Sequence, residues 1–258
     1  MGGGCAALRV FLFDIDGTLT PHRQHITKEF LGFFTEWARE NKFYLTTGSD
    51  FAKIQEQLPA EILNLAAGLF CCMGNQLIIP QTEEIIYQNS YNPTDDLIKT
   101  LDSYLDSSDY PHPWRSGPHI EHRVGMINFT IAGRGSDAEM REIYSRFDQK
   151  CGERERMRAV LMNMYPEIDV SIGGKISLDI CPRGNDKSQS VRYVAANEKS
   201  SYIIFLGDRA FPGGNDYAAA REIDNMPRGL WFNVNNWKET QAILKLSNLY
   251  INKDGGKA

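Results

Sequence analysis

The apolar and polar positions change rhythm twice along the chain, and each rhythm predicts a different architecture. Residues 9–13 are a short apolar run that stops at Asp14-Ile15-Asp16-Gly17-Thr18. That is the pattern of a buried parallel strand whose carboxyl end opens into a site. Phe30, Phe33, Phe34, Trp37 and Ala38 then recur at helical spacing with charge on the opposite face. Residues 43–47 read as a second strand closed by Gly48-Ser49-Asp50. Ser49 or Asp50 can cap a helix running to about Leu58, where Pro59 follows. Strand, helix, strand, helix predicts a parallel α/β sheet.

Beyond residue 75 the elements shorten and their order changes. Residues 76–80 and 84–88 read as paired strands, 95–105 as a helix and 121–132 as a strand. Ser136, with Glu139 three residues on, predicts a capping box. The runs 168–172 and 175–180 flank Gly173-Gly174, the signal of a two-residue hairpin. The parallel rhythm returns with a helix from Lys187, a strand at 202–206 ending in Gly207-Asp208, a strand at 231–234 and a helix at 239–247; residues 253–258 are expected to fray. The expected fold is α/β, a Rossmann-like parallel-sheet core (1–81 and 187–258) with an inserted α+β cap domain built on an antiparallel sheet (82–186).

Composition acts mainly by exclusion. The 258 residues are 42% apolar and 24% charged, a soluble globular balance. A net charge of -5 argues against a broad nucleic-acid interface. No apolar run approaches the ~18 residues of a membrane span. No basic region precedes the first apolar stretch, so a signal peptide is not expected and a cytoplasmic location is. Gly2 could accept a myristoyl group, although the motif wants Ser or Thr where Ala6 stands. Five cysteines without a C-x-x-C predict reduced thiols, not a disulfide framework or a zinc site. His22/His25 and His119/His122 lie on no credible helix with a third ligand.

Three strands end in polar clusters: Asp14-Ile15-Asp16-Gly17-Thr18, Thr47-Gly48-Ser49-Asp50, and Gly207-Asp208 with Asp216 beyond. Ligands of open α/β sheets sit at the carboxyl ends of strands, so these endings should meet at one crevice. Carboxylates gathered there repel one another unless a cation joins them, and all-oxygen ligation suits Mg²⁺. In the insert, Arg123, Arg134 and Arg141 lie within 19 residues, and guanidinium forks suit phosphate. Ser177 and Asp179 share one strand face, with Ile176, Leu178 and Ile180 on the other. Arg123 and Arg134 have opposite parity, so a regular strand would separate them; a bulge, or Arg134 lying past the strand end beside Gly133, would reunite them.

The Asp-x-Asp-Gly-Thr, the later Thr47 or Ser49, Lys187 and Gly207-Asp208 occur in an order that resembles the haloacid dehalogenase superfamily of phosphoryl-transfer enzymes. Ile-Thr-Lys-Glu at 26–29, Gly-Ser-Asp-Phe at 48–51, Ile-Glu-x-Arg at 120–123, Ser-Ile-Gly-Gly at 171–174 and Pro-Gly-Gly-Asn-Asp at 212–216 are similar to the eukaryotic-type phosphomannomutase family. The resemblance runs from about residue 9 to residue 247. It departs from the family at His122, where an aromatic is usual, and at 218–221, where Glu222 could stand in for the second cation loop.

The resemblance implies a mutase that exchanges mannose 6-phosphate and mannose 1-phosphate for GDP-mannose supply. It would act through a phosphorylated Asp14 and a hexose 1,6-bisphosphate, with Asp16 as general acid–base and Lys187 as a supporting cation. It implies Thr47 and Ser49 on the transferred phosphate, and Arg23, Arg123, Arg134, Arg141, Ser177 and Asp179 on the sugar and its distal phosphate. Mg²⁺ would be held by Asp14, the Asp16 carbonyl and Asp208, with Asp216 as a further candidate, and a homodimer would form through the cap. A capped sugar-phosphate phosphatase is the alternative within the superfamily. A non-catalytic phosphosugar-binding protein is the alternative outside it, and the intact Asp14, Asp16, Lys187 and Asp208 argue against that one.

Overall fold

The computed structural model describes residues 9–199 and 201–254, so Gly2 and the last four residues lie outside it. The elements begin with β1 (Arg9–Asp14), α1 (Lys28–Glu40), β2 (Lys42–Thr46), α2 (Phe51–Gln57), α3 (Ala60–Leu63), β3 (Leu69–Cys71), β4 (Gln76–Ile79) and β5 (Glu84–Gln88). There follow α4 (Asp95–Ser107), β6 (Ile120–Arg123), β7 (Met126–Phe129), α5 (Ala138–Cys151), α6 (Glu153–Met164), β8 (Ile168–Gly173) and β9 (Ser177–Pro182). The chain closes with α7 (Ser188–Asn197), β10 (Tyr202–Gly207), α8 (Tyr217–Asp224), β11 (Gly229–Asn233) and α9 (Trp237–Asp254).

A seven-stranded sheet runs in the order β11-β10-β1-β2-β3-β4-β5, parallel from β11 to β3 and antiparallel at β4 and β5. Both of its faces are covered, which is why β1 is apolar from Val10 to Phe13. Phe11 and Phe13 pack on Phe34 and Trp37 of α1, while Val10 and Leu12 point the other way, to a cluster with Val191, Val194 and Phe205. A four-stranded antiparallel sheet, β6-β7-β9-β8, has its own core, where Ile127, Phe129, Leu178 and Ile180 meet Leu101, Tyr144 and Leu161 from the helices.

Several sequence expectations are corrected. Residues 84–88, placed in the insert, form β5 and bond to β4 in the large sheet. The single strand expected at 121–132 is a hairpin, turned at Val124-Gly125. Gly125 has φ +66°, and a Cβ there would lie 2.6 Å from Asn75, so the turn needs glycine both for its conformation and for space. Asp137, not Ser136, caps α5 by accepting from the Met140 N–H; the Ser136 hydroxyl donates to the Ala132 carbonyl instead. Gly173 pairs with Ser177, so the hairpin between β8 and β9 has a three-residue loop. The helices α6 and α8 were not read from the sequence, and α9 extends through Lys253 and Asp254, which were expected to fray.

Candidate active site

The parallel register brings the polar endings together. Phe13 pairs with Leu206 and Asp14 with Thr46, so Asp14, Thr47 and Asp208 emerge at the same edge. Asp14 is 4% exposed, and its Oδ2 accepts from the Thr18 hydroxyl at 3.3 Å. The loop after β1 folds back, with the Gly17, Thr18, Leu19 and Thr20 N–H groups bonded within it. Gly17 has φ +86°, and a Cβ there would lie 2.7 Å from both Asp208 Oδ2 and His22 Cε1; only glycine permits this crossing. Asp16 Oδ1 accepts from the Arg23 N–H at 2.6 Å and from Gln57 Nε2 at 2.9 Å.

Lys187, fully buried, donates to Asp14 Oδ1 at 2.5 Å and to Asp216 Oδ1 at 2.6 Å. Asp216, also fully buried, accepts through Oδ2 from the Arg209 N–H at 3.0 Å. His22 Nε2 lies 3.5 Å from Asp208 Oδ2. Asp14, Asp208 and Asp216 offer oxygens all within 4.8 Å of one another.

Burial, together with Asp216 and Asp208, raises the Asp14 carboxyl well above its ordinary value against the pull of Lys187. Burial and Asp216 push Asp208 up to about 7. Burial by itself would lower the Lys187 ammonium, but Asp14 and Asp216 together hold it above its usual range. Asp14 and Asp216 thus share the Lys187 ammonium while Asp208 lies 3.7 Å from Arg209 Nε, and the hard oxygen donors of the three carboxylates suit a small divalent cation. The Asp16 carboxylate is directed to Arg23 and Gln57, outside this cluster of side-chain oxygens; the Asp16 group expected on the cation is its backbone carbonyl.

Opposite stands the antiparallel sheet. Arg123 donates to Glu121 Oε2 through Nε at 3.1 Å and Nη2 at 2.5 Å, and through Nη1 to the Gly48 carbonyl at 2.5 Å. Arg134 reaches the same Glu121 oxygen from Nη2 at 2.7 Å and Asn128 Oδ1 from Nη1 at 2.8 Å. Asn128 Nδ2 donates to Asp179 Oδ1 at 2.7 Å, and Gly173 is a glycine because a Cβ would come within 2.3 Å of Asp179 Oδ2. Arg141 donates to the Ser136 and Arg134 carbonyls. Burial, then neighbouring arginines, lowers Arg134 and Arg141 to about 10. The parity conflict is resolved because Arg123 ends β6 whereas Arg134 follows β7 beyond a Gly133 at φ +86°.

A cavity of ≈490 Å³ lies between the two sheets. Asp14, Asp16, Arg23, Thr47, Ser49, Arg123, Arg134, Arg141, Ser177, Asp179 and Asp208 all line it. Lys187 and Asp216 do not; they sit behind Asp14, away from solvent. Glu121, Asn128, Gln57 and His22 were not anticipated as site residues. Asn128 alone left a signal, as the polar residue of the otherwise apolar β7. One wall is therefore acidic with a buried ammonium, the other is rich in guanidinium, and the space between suits a small doubly anionic solute.

The family model described as eukaryotic phosphomannomutase matches residues 30–250. A phosphomannomutase of Arabidopsis thaliana is 34% identical over 242 residues, 92% of this chain and 95% of its own length. One of Drosophila melanogaster is 35% identical over 245 residues, 91% of this chain and 93% of its own length. The fold resembles that of a haloacid dehalogenase-like hydrolase from Bacteroides thetaiotaomicron, at a TM-score of 0.59 and 14% identity over 93% of this chain and 99% of that one. Family model and relatives agree over most of the length: this chain belongs to the eukaryotic phosphomannomutase family.

Proposed function

We propose that the chain interconverts mannose 6-phosphate and mannose 1-phosphate, with Asp14 as the phosphoryl carrier and a hexose 1,6-bisphosphate as intermediate and activator. The observation that carries this reading is the two-walled cavity, in which Asp14 faces a set of arginines across ≈490 Å³. A phosphatase needs one phosphate site; a mutase must grip one phosphate while it transfers the other. The strands 120–129 and 168–182, with the helices packed on them, act as the substrate-binding cap on the large-sheet core.

Lys187 fixes Asp14 Oδ1, which leaves Oδ2 as the attacking or phosphorylated oxygen. With phospho-Asp14 formed, mannose 1-phosphate binds with its phosphate on Arg123, Arg134 and Arg141. The 6-hydroxyl attacks phosphorus, Asp16 takes its proton, and the phosphorus–Asp14 bond breaks, giving the bisphosphate. The bisphosphate turns end for end, Asp14 attacks the 1-phosphate, and Asp16 returns the proton to O1 as mannose 6-phosphate leaves. Gln57 and the Arg23 N–H hold Asp16 Oδ1 and so aim its other oxygen. Thr47 and Ser49 bind the transferring phosphate, and Ser177 and Asp179 the sugar hydroxyls. A Mg²⁺ held by Asp14, the Asp16 carbonyl and Asp208, with Asp216 beside them, would offset the repulsion between carboxylate and phosphate. The closed cap keeps water from phospho-Asp14, which favours exchange over hydrolysis.

The product would feed GDP-mannose synthesis, in a cytoplasmic enzyme that dimerises through the cap. No helix among the described residues is long and apolar enough to cross a membrane. ³¹P NMR of the chain with Mg²⁺, mannose 1-phosphate and a trace of hexose 1,6-bisphosphate tests the reading. A 6-phosphate resonance that depends on the bisphosphate is expected; inorganic phosphate alone would mean a phosphatase.

A further inference from the structure

Glu121 stands beside the cavity and has no part in the proposed reaction. It does not line the cavity. Its Oε2 accepts from Arg123 twice and from Arg134 once, at 3.1, 2.5 and 2.7 Å, and its side chain is 34% exposed. Two guanidinium groups whose charges repel are thereby held side by side by one carboxylate oxygen. Burial would raise the Glu121 carboxyl, but Arg123 and Arg134 outweigh it and keep it below its usual range.

Two chains of hydrogen bonds leave this point. One runs through Arg123 Nη1 to the Gly48 carbonyl, between the phosphate-binding Thr47 and Ser49. The other runs through Arg134 Nη1 to Asn128 Oδ1, and from Asn128 Nδ2 to Asp179. Each guanidinium carries five N–H donors. The bonds to Glu121, Gly48 and Asn128 leave both groups with donors to spare for an anion in the cavity that they line.

We propose that Glu121 is the positioning residue of the distal-phosphate grip, joining Arg123 and Arg134 into one two-forked receptor before substrate arrives. The inference rests on the mutase reading above. It makes the Arg123–Arg134 pair, beside Arg141, the core of the distal-phosphate site and Glu121 the group that sets their spacing. Without the carboxylate the two cations would splay, and part of the substrate's binding energy would go to drawing them together.

Steady-state kinetics of the full chain test this with Glu121→Gln, which keeps the shape and removes the charge. The expected result is a KM for mannose 1-phosphate about tenfold higher, the scale of a weakened charge-assisted contact, with a much smaller change in kcat. A cycle with Arg134→Gln adds a readout that a merely structural role would not move. If Glu121 acts through Arg134, the double variant raises KM no further than Arg134→Gln alone. An unchanged KM in Glu121→Gln, or additive effects in the cycle, would overturn the proposal. Should Glu121→Gln melt below the assay temperature, Glu121→Asp decides: one methylene shorter, it cannot span both guanidinium groups, and a wild-type KM there overturns the proposal equally. A wild-type chain that releases only inorganic phosphate would sink the mutase reading instead, so the two failures are distinguishable.

Discussion

The Lys187 ammonium donates to Asp14 Oδ1 at 2.5 Å, and the two side chains are 0% and 5% exposed. The nucleophile of the proposed reaction is therefore held from behind by a cation that solvent and substrate do not reach. Lys187→Met would leave Asp14, Asp208 and Asp216 without that charge. Breaking a buried pair this way costs on the order of 3–5 kcal/mol. The loss of electrostatic support should lower kcat by about 10²–10³. Urea unfolding and initial rates check both, and a variant as stable as the parent would contradict the coupling.

Mg²⁺ binding should depend on pH. Asp208 is raised to about 7 by burial and Asp216, from a carboxylate value near 3.9 in the unfolded chain. The folded state then holds a proton that the unfolded state has released. The stability from this group is fully present below about pH 4 and is lost as pH rises through about 7. A bound cation displaces that proton. Apparent Mg²⁺ affinity should therefore climb up to about tenfold per pH unit below 7 and level off above it. Thermal shift titrations from pH 5.5 to 8, with EDTA as the metal-free reference, measure this, and a flat profile would refute it.

Gly17→Ala should damage activity more than its single methyl suggests. The φ of +86° strains any L side chain, and the new Cβ would sit 2.7 Å from Asp208 Oδ2. The left-handed conformation costs about 1–2 kcal/mol, a drop of roughly 2–8 °C in melting temperature for a domain this size. A larger loss should appear in turnover, since Asp208 must move. A melting curve beside the rate separates the two effects.

Arg154 holds the hairpin between β8 and β9 from behind. It is 6% exposed, pairs with Asp148 at 2.8 Å, and donates from Nη1 to the Gly173, Gly174 and Ser177 carbonyls. Arg154→Met leaves Asp148 with only the backbone N–H at 154, without its charge partner, and takes a side-chain donor from three carbonyls; it should destabilise the chain by about 3–5 kcal/mol. Hydrogen exchange should quicken first at 173–177, next to Ser177 and Asp179. Uniform acceleration over all the strands would argue against this local role.

The acidic half of the site is legible in the sequence because each piece is local. An apolar strand followed at once by Asp14-Ile15-Asp16-Gly17-Thr18 places two carboxylates at a strand end without knowledge of any neighbour. The alternation that puts Ser177 and Asp179 on one face is equally local. Gln57 and Glu121 were not legible. Gln57 meets Asp16 across 41 residues of chain, and its helix would form with many other residues at that position. Glu121 is two residues from Arg123 but reaches Arg134 as well, a meeting that depends on the Val124-Gly125 turn.

The sequence by itself determined the alternation of elements, the chemistry at the strand ends and the presence of a second, antiparallel unit, since all three follow from spacing and residue type. Only the tertiary structure decided that residues 84–88 join the large sheet, because the edge strand Glu-Ile-Ile-Tyr-Gln would pattern alike in either sheet. It also decided that Lys187 and Asp216 stand behind the nucleophile, out of the cavity, and that Arg123 and Arg134 converge on one carboxylate. Periodicity reports which face of an element a side chain occupies; which distant group it meets there depends on how the faces pack.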